Sequence, residues 1–160
     1  MFREENTMEE KYEDLAAYLE SVIDIVKHMG LKVISMKERH VKLLMPLQKN
    51  INHVGSMYAG SLFTLGEIMG GAIFFASFDI GQYYPLVKEV QIRYRKPALT
   101  DITVEATLSE DRVEQILKEI EEKGKADFNL DLELIDANRE VVSLMQGIWQ
   151  GRKNNKNLSS

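Results

Sequence analysis
The chain of 160 residues contains no cysteine, which excludes disulfides, thiolate metal sites and a cysteine nucleophile. Its three prolines provide no proline-rich linker, and no low-complexity segment or internal repeat divides it. Its three histidines, His28, His40 and His53, lack the spacing of a metal-ligand set, so no metal is expected. Positive charge is also in short supply. Twenty Lys and Arg face 25 Asp and Glu, a net charge of -5, which argues against broad nucleic-acid binding. An anionic ligand would need a local basic patch. The start, Met1-Phe2-Arg3-Glu4-Glu5, has no apolar segment of the kind a secretory signal requires, so the expected location is the cytoplasm. What remains is ordinary globular material, 44% hydrophobic and 28% charged, of a length that suits one domain over residues 1–160.

One long apolar run stands out, from Met57 to Phe78. It approaches the length of a membrane span and contains Gly66-x-x-x-Gly70, the small-residue spacing of membrane helix pairs. Glu67 lies near its centre, where an acid in lipid costs about 2.5–3.5 kcal/mol. No second span exists and the flanks are not basic, so no membrane span is expected. A helix apolar on all sides is otherwise a buried one, wrapped by its own domain.

Around that helix the periodicity predicts the other elements. Leu15, Leu19, Val22, Ile23, Val26 and Met29 recur at helical steps, giving an amphipathic helix over about 10–29 that stops at Gly30. Residues 31–36 and 40–47 read as a hairpin turning at Lys37-Glu38-Arg39. After the apolar helix, alternation marks strands over 87–96, 102–108, 126–135 and 140–150, with a short helix over 112–123. In the first of these, Val90, Ile92 and Tyr94 share one face, and Gln91, Arg93 and Arg95 the other. Gly81 and Pro85 mark the exit from the long helix, and residues 1–10 and 151–160 read as polar ends. Short turns favour an antiparallel sheet, and one apolar helix against one curved sheet is a two-layer α+β domain.

Residues three, four and seven positions from Glu67 share its helix face. Gly60, Phe63, Thr64, Gly70, Gly71 and Phe74 are those residues. Glycine in a helix interior costs about 1 kcal/mol relative to alanine, so adjacent Gly70 and Gly71 imply close approach of a backbone or a ligand. A carboxylate on such a face is desolvated and its pKa rises, which suits a general base. The alternative is a structural glutamate paired with Lys or Arg, its glycines serving helix packing. Gly55-Ser56 and Ala59-Gly60 put small residues at the helix start, where free N–H groups and the dipole can hold an oxyanion.

The segment from Asn52 to Glu67 resembles the motif of hotdog-fold thioesterases of the phenylacetyl-CoA type: Asn, two residues, Gly, two residues, His-Gly-Gly, then Leu and an acid. Asn52, Gly55, Gly60, Leu65 and Glu67 stand at the matching spacing. Tyr58 replaces the histidine, Ala59 the first glycine of the pair, and Glu67 the common Asp. These departures resemble the thioesterase domain fused to some acetyltransferases. The Arg93-Tyr94-Arg95-Lys96-Pro97-Ala98 stretch resembles the family strand that ends near the coenzyme A (CoA). The resemblance implies a hotdog fold, a curved antiparallel sheet around one central helix. It implies hydrolysis of acyl-CoA or acyl-carrier-protein thioesters, with no cofactor beyond the CoA of the substrate. Glu67 would activate water or attack the carbonyl, the Gly60 N–H would hold the oxyanion, and Asn52 would position water or thioester. Gly55, Tyr58, Ala59, Ser61 and Thr64 would line the substrate, while Arg93, Arg95 and Lys96 would meet the CoA phosphates. Self-association as a homodimer or a dimer of dimers is expected, with Glu67 facing the partner's Asn52. A non-catalytic acyl-CoA sensor and a hotdog dehydratase are the competing readings; the second wants a histidine where Tyr58 stands.

Overall fold
The structure is a computed structural model and describes residues 10–155; the expectations for 1–9 and 156–160 lie outside the described residues. In chain order the elements are α1 (Glu10–Ser21), α2 (Asp24–Met29), β1 (Lys32–Lys37), β2 (His40–Met45), α3 (Ala59–Phe75), β3 (Tyr83–Tyr94), β4 (Ile102–Thr107), α4 (Glu110–Lys123), β5 (Lys125–Ile135) and β6 (Val141–Lys153). The six strands form one antiparallel sheet in the order β1-β2-β4-β5-β6-β3.

The first expected helix is in fact two. Ser21 Oγ donates back to the Ala17 carbonyl at 2.8 Å, a bond that competes with the helix ladder and bends it. Ile23 then takes an extended backbone, with φ -107° and ψ 114°. The break turns Val22 and Ile23 out to solvent, which corrects their expected place on the apolar face; Tyr12, Ala16 and Leu19 carry the packing of α1 instead.

β3 starts earlier than alternation suggested and includes Pro85. Proline removes a ladder donor but is tolerated on an edge strand, and β3 is an edge. Its register pairs Tyr83 with Lys153 and Pro85 with Gly151, so the polar tail begins after Lys153 rather than at Gly151. β4 does not follow β3 in the sheet but lies between β2 and β5. α4 begins two residues before its expected start and is capped at both ends: the Ser109 hydroxyl accepts from Arg112 N, and Gly124 adopts left-handed backbone with φ 80°.

α3 packs against the sheet, touching β2, β3, β4, β5 and β6. On β5 the alternate residues Ala126, Phe128, Leu130, Leu132 and Leu134 are buried, and α3 offers them Leu62, Leu65, Met69 and Ile73. Each such large apolar side chain contributes about 1.5–3 kcal/mol by burial. Side chains of the sheet explain two of the helix glycines. A β-carbon on Gly66 would lie 2.4 Å from Met145 Sδ, and one on Gly70 would lie 2.0 Å from Trp149 Nε1. The close approach expected at Gly70 is therefore that of an indole, neither a backbone nor a ligand. Gly71 differs, with nothing within 4 Å of where its side chain would stand.

The two sheet edges are unlike. Beside β1 lies α1, whose Glu20 carboxylate accepts from Val33 N at 2.8 Å. Among the described residues the outer side of β3 has no such cover, and Leu86 and Val87 of this strand stand about half exposed. Among the described residues no helix is long and apolar enough to cross a membrane.

Candidate active site
Glu67 projects from the side of α3 that the sheet leaves uncovered, along with Gly60, Phe63, Thr64 and Gly71, all partly or fully exposed. Among the described residues no hydrogen bond or ion pair reaches its carboxylate, and burial alone pushes its pKa above the ordinary value. No cation among the described residues pairs with it, unlike the structural glutamate that the sequence also allows.

Seven residues earlier, on nearly the same face, α3 begins without a side-chain cap. The N–H groups of Ser61 and Leu62 turn back to the Tyr58 carbonyl at 2.9 and 3.2 Å. Those of Ala59 and Gly60 find no acceptor among the described residues. Such free donors at the positive end of a helix suit an anion. The Tyr58 ring folds over Gly60: a β-carbon there would meet ring atom Cε1 at 2.4 Å. Tyr58 itself is 57% exposed. Between Gly60 and Glu67 the Thr64 hydroxyl donates to the Gly60 carbonyl at 2.8 Å.

The loop before the helix is held from within. Asn52 Oδ1 accepts from Val54 N and Ser56 N at 3.0 and 3.1 Å, and its Nδ2 donates to Ser56 Oγ at 2.9 Å. Gly55, with φ 86°, supplies the left-handed residue of this turn. No hydrogen bond joins Asn52 to Glu67 of the same chain.

Two residues that matter here escape sequence reasoning. Asn50 is buried, and its Oδ1 accepts from Ser61 Oγ at 2.8 Å while its Nδ2 donates to the carbonyls of Met29 and Pro46 at 2.8 Å each. The Ser61 hydroxyl, expected to line the substrate, is thus buried and committed to Asn50. Tyr94 is the second. From β3 its hydroxyl donates to the Ala59 carbonyl at 2.9 Å, fastening the helix start to the sheet. Period-two alternation had placed Tyr94 opposite the arginines, which was the available signal for it.

A family model described as "Putative thioesterase (yiiD_Cterm)" matches residues 12–149. The chain belongs to this thioesterase family. A Pseudomonas aeruginosa protein described as a probable thioesterase is 43% identical, with a TM-score of 0.86 over 92% of this chain and 99% of its own. A thioesterase from Haemophilus influenzae shares the fold at 12% identity, with a TM-score of 0.71 over 91% of this chain and 93% of its own. Among curated proteins none matches.

In this member of the thioesterase family, the three basic residues expected to meet phosphate do not form one patch. Lys96 Nζ binds the Glu140 carboxylate and lies 3.7 Å from Asp136 Oδ2, so it is neutralised by the β5–β6 turn. Arg93, opposite in the pleat to Tyr94, faces away from α3. It lines a cavity of about 740 Å³ with Gln91, Glu105, Asp131, Glu133 and Gln146, to which α3 contributes nothing. Arg93 and Arg95 are both exposed without an ion pair among the described residues, and only Arg95 lies outside that cavity.

Proposed function
We propose that the chain hydrolyses acyl-CoA or acyl-carrier-protein thioesters as a hotdog-fold enzyme, with Glu67 as general base. The observation that carries this reading is the unpartnered, partly buried Glu67 on the same helix face as the free N–H of Gly60. Seven residues span about 10 Å along a helix axis, and side chains lean toward the N-terminus. The carboxylate therefore reaches back toward Gly60 with room for a carbonyl and one water between. That spacing favours activation of water over direct attack. Glu67 takes a proton from water as its oxygen adds to the thioester carbonyl, and the Gly60 N–H receives the oxyanion. Collapse breaks the carbon–sulfur bond, and the thiolate takes the proton back from Glu67. Tyr58 and Thr64 flank the acyl carbonyl.

The open edge of β3, with Leu86 and Val87 on it, supports pairing with a second copy. Such a dimer brings the partner's loop toward Glu67.

A panel of acyl-CoA chain lengths, with released thiol measured, tests the assignment in wild type and Glu67→Gln. Cleavage of at least one chain length by the wild type and loss in the variant are expected. Binding of every ester without cleavage would favour the sensor reading instead. Full activity in Glu67→Gln would remove the base from the mechanism.

A further inference from the structure
The carbonyl of Ala59 and the N–H of Gly60 belong to one peptide group. A trans peptide is planar, so the direction of its C=O fixes the direction of its N–H. The hydroxyl of Tyr94 holds that carbonyl at 2.9 Å from the neighbouring strand β3. We propose that Tyr94 is a positioning residue for the oxyanion donor, orienting and polarising the Ala59–Gly60 peptide through its carbonyl. This rests on the reading of Gly60 as that donor.

Two physical effects follow from the contact. The first is geometric. α3 has no side-chain cap, so its first peptide, Ala59–Gly60, lacks that local anchor. Tyr94 replaces a cap with a tether to a strand, and its neighbour in register, Ser143 on β6, is fully buried. The second effect is electronic. Hydrogen bonds in a chain polarise one another. A donor on the carbonyl oxygen draws electron density from the amide nitrogen and makes its N–H a stronger donor, which is the property an oxyanion site requires. The phenol remains protonated across the working pH range, because burial, and then the nearby Tyr58, push its pKa upward. Tyr94 therefore acts as a donor throughout.

Ala59–Gly60 is the only Ala–Gly pair in the sequence, so labelling alanine carbonyls with 13C and glycine nitrogens with 15N isolates this peptide in one NMR resonance. In Tyr94→Phe the Gly60 15N and Ala59 13C′ shifts move upfield, while Tyr84→Phe, which removes an exposed phenol from the same strand, leaves them in place. On acyl-CoA, kcat of Tyr94→Phe falls by roughly three- to thirty-fold with KM held, less than the loss of an oxyanion donor itself. Replacing the tyrosines with 3-fluorotyrosine strengthens the donor and moves the same resonance the other way, without reliance on a variant that folds. An unmoved resonance, or an unchanged kcat in an active enzyme, overturns the proposal. If the wild type cleaves no thioester, the proposed function falls, and the labelled peptide still decides whether Tyr94 polarises it.

Discussion

The indole nitrogen of Trp149 stands 2.0 Å from the point a β-carbon on Gly70 would occupy. Gly70→Ala therefore forces the helix off the sheet, and a loss of about 1–3 kcal/mol is expected from such overpacking. The adjacent substitution, Gly71→Ala, meets open space and gains helix propensity of up to about 1 kcal/mol. Urea denaturation of both variants checks the contrast. Equal losses would show that the two glycines serve one packing contact.

Glu67 carries opposite demands on stability and rate. Its folded pKa is raised by burial, so the folded state favours the protonated acid. The stability this provides is present below the unfolded pKa and is lost as pH rises through the folded one. Glu67→Gln should melt higher than wild type near neutral pH, and the gap should close as the solution is acidified. Hydrolysis should follow the reverse course, rising with pH through an apparent pKa above the ordinary glutamate value. Thermal melts and a kcat/KM profile across the acid range measure both.

Asn50 joins the helix pair, the loop and α3 through its single amide. Asn50→Ala leaves two backbone carbonyls and the Ser61 hydroxyl without that partner. Each unsatisfied buried group costs about 1–3 kcal/mol, so a severe loss is expected, with the protein close to unfolding at 37 °C. Asn52→Ala loosens only the partly exposed loop turn and should lower the melting temperature far less. Calorimetry of the pair ranks them.

Lys96 is held by Glu140 and Arg95 is not held. Lys96→Ala should leave the KM for acyl-CoA unchanged and shift stability by under about 1 kcal/mol, the range of exposed ion pairs. Arg95→Ala should raise that KM, and added salt should shrink the difference. An unaltered KM in Arg95→Ala would move phosphate recognition away from this strand.

The periodicity of apolar residues carries most of the architecture, because the core of this domain is built on it. Phe128 to Leu134 alternate in the sequence and alternate in burial. Features that depend on a single hydrogen bond are hidden in such patterns. Ser21 bends a helix that Val22 and Ile23 would otherwise continue, and only the geometry of its hydroxyl reveals this. The same is true around the candidate site. Glu67 and Gly60 stand out by type and spacing, whereas Asn50 looks like any polar loop residue until its partners at Met29 and Pro46, distant in sequence, are seen. The run Arg93-Tyr94-Arg95-Lys96 reads as one basic cluster along the chain. The pleat sends Arg93 to the far side, and a turn more than forty residues later neutralises Lys96.

Glu20 occupies Val33 N at the margin of β1, and the consequence reaches past one molecule. A sheet open at both margins can recruit copies without limit and grow into a fibre. This one has a stopper at one end. Two chains pairing at β3, as proposed above, would leave only stoppered margins outward, and strand-to-strand growth would stop there.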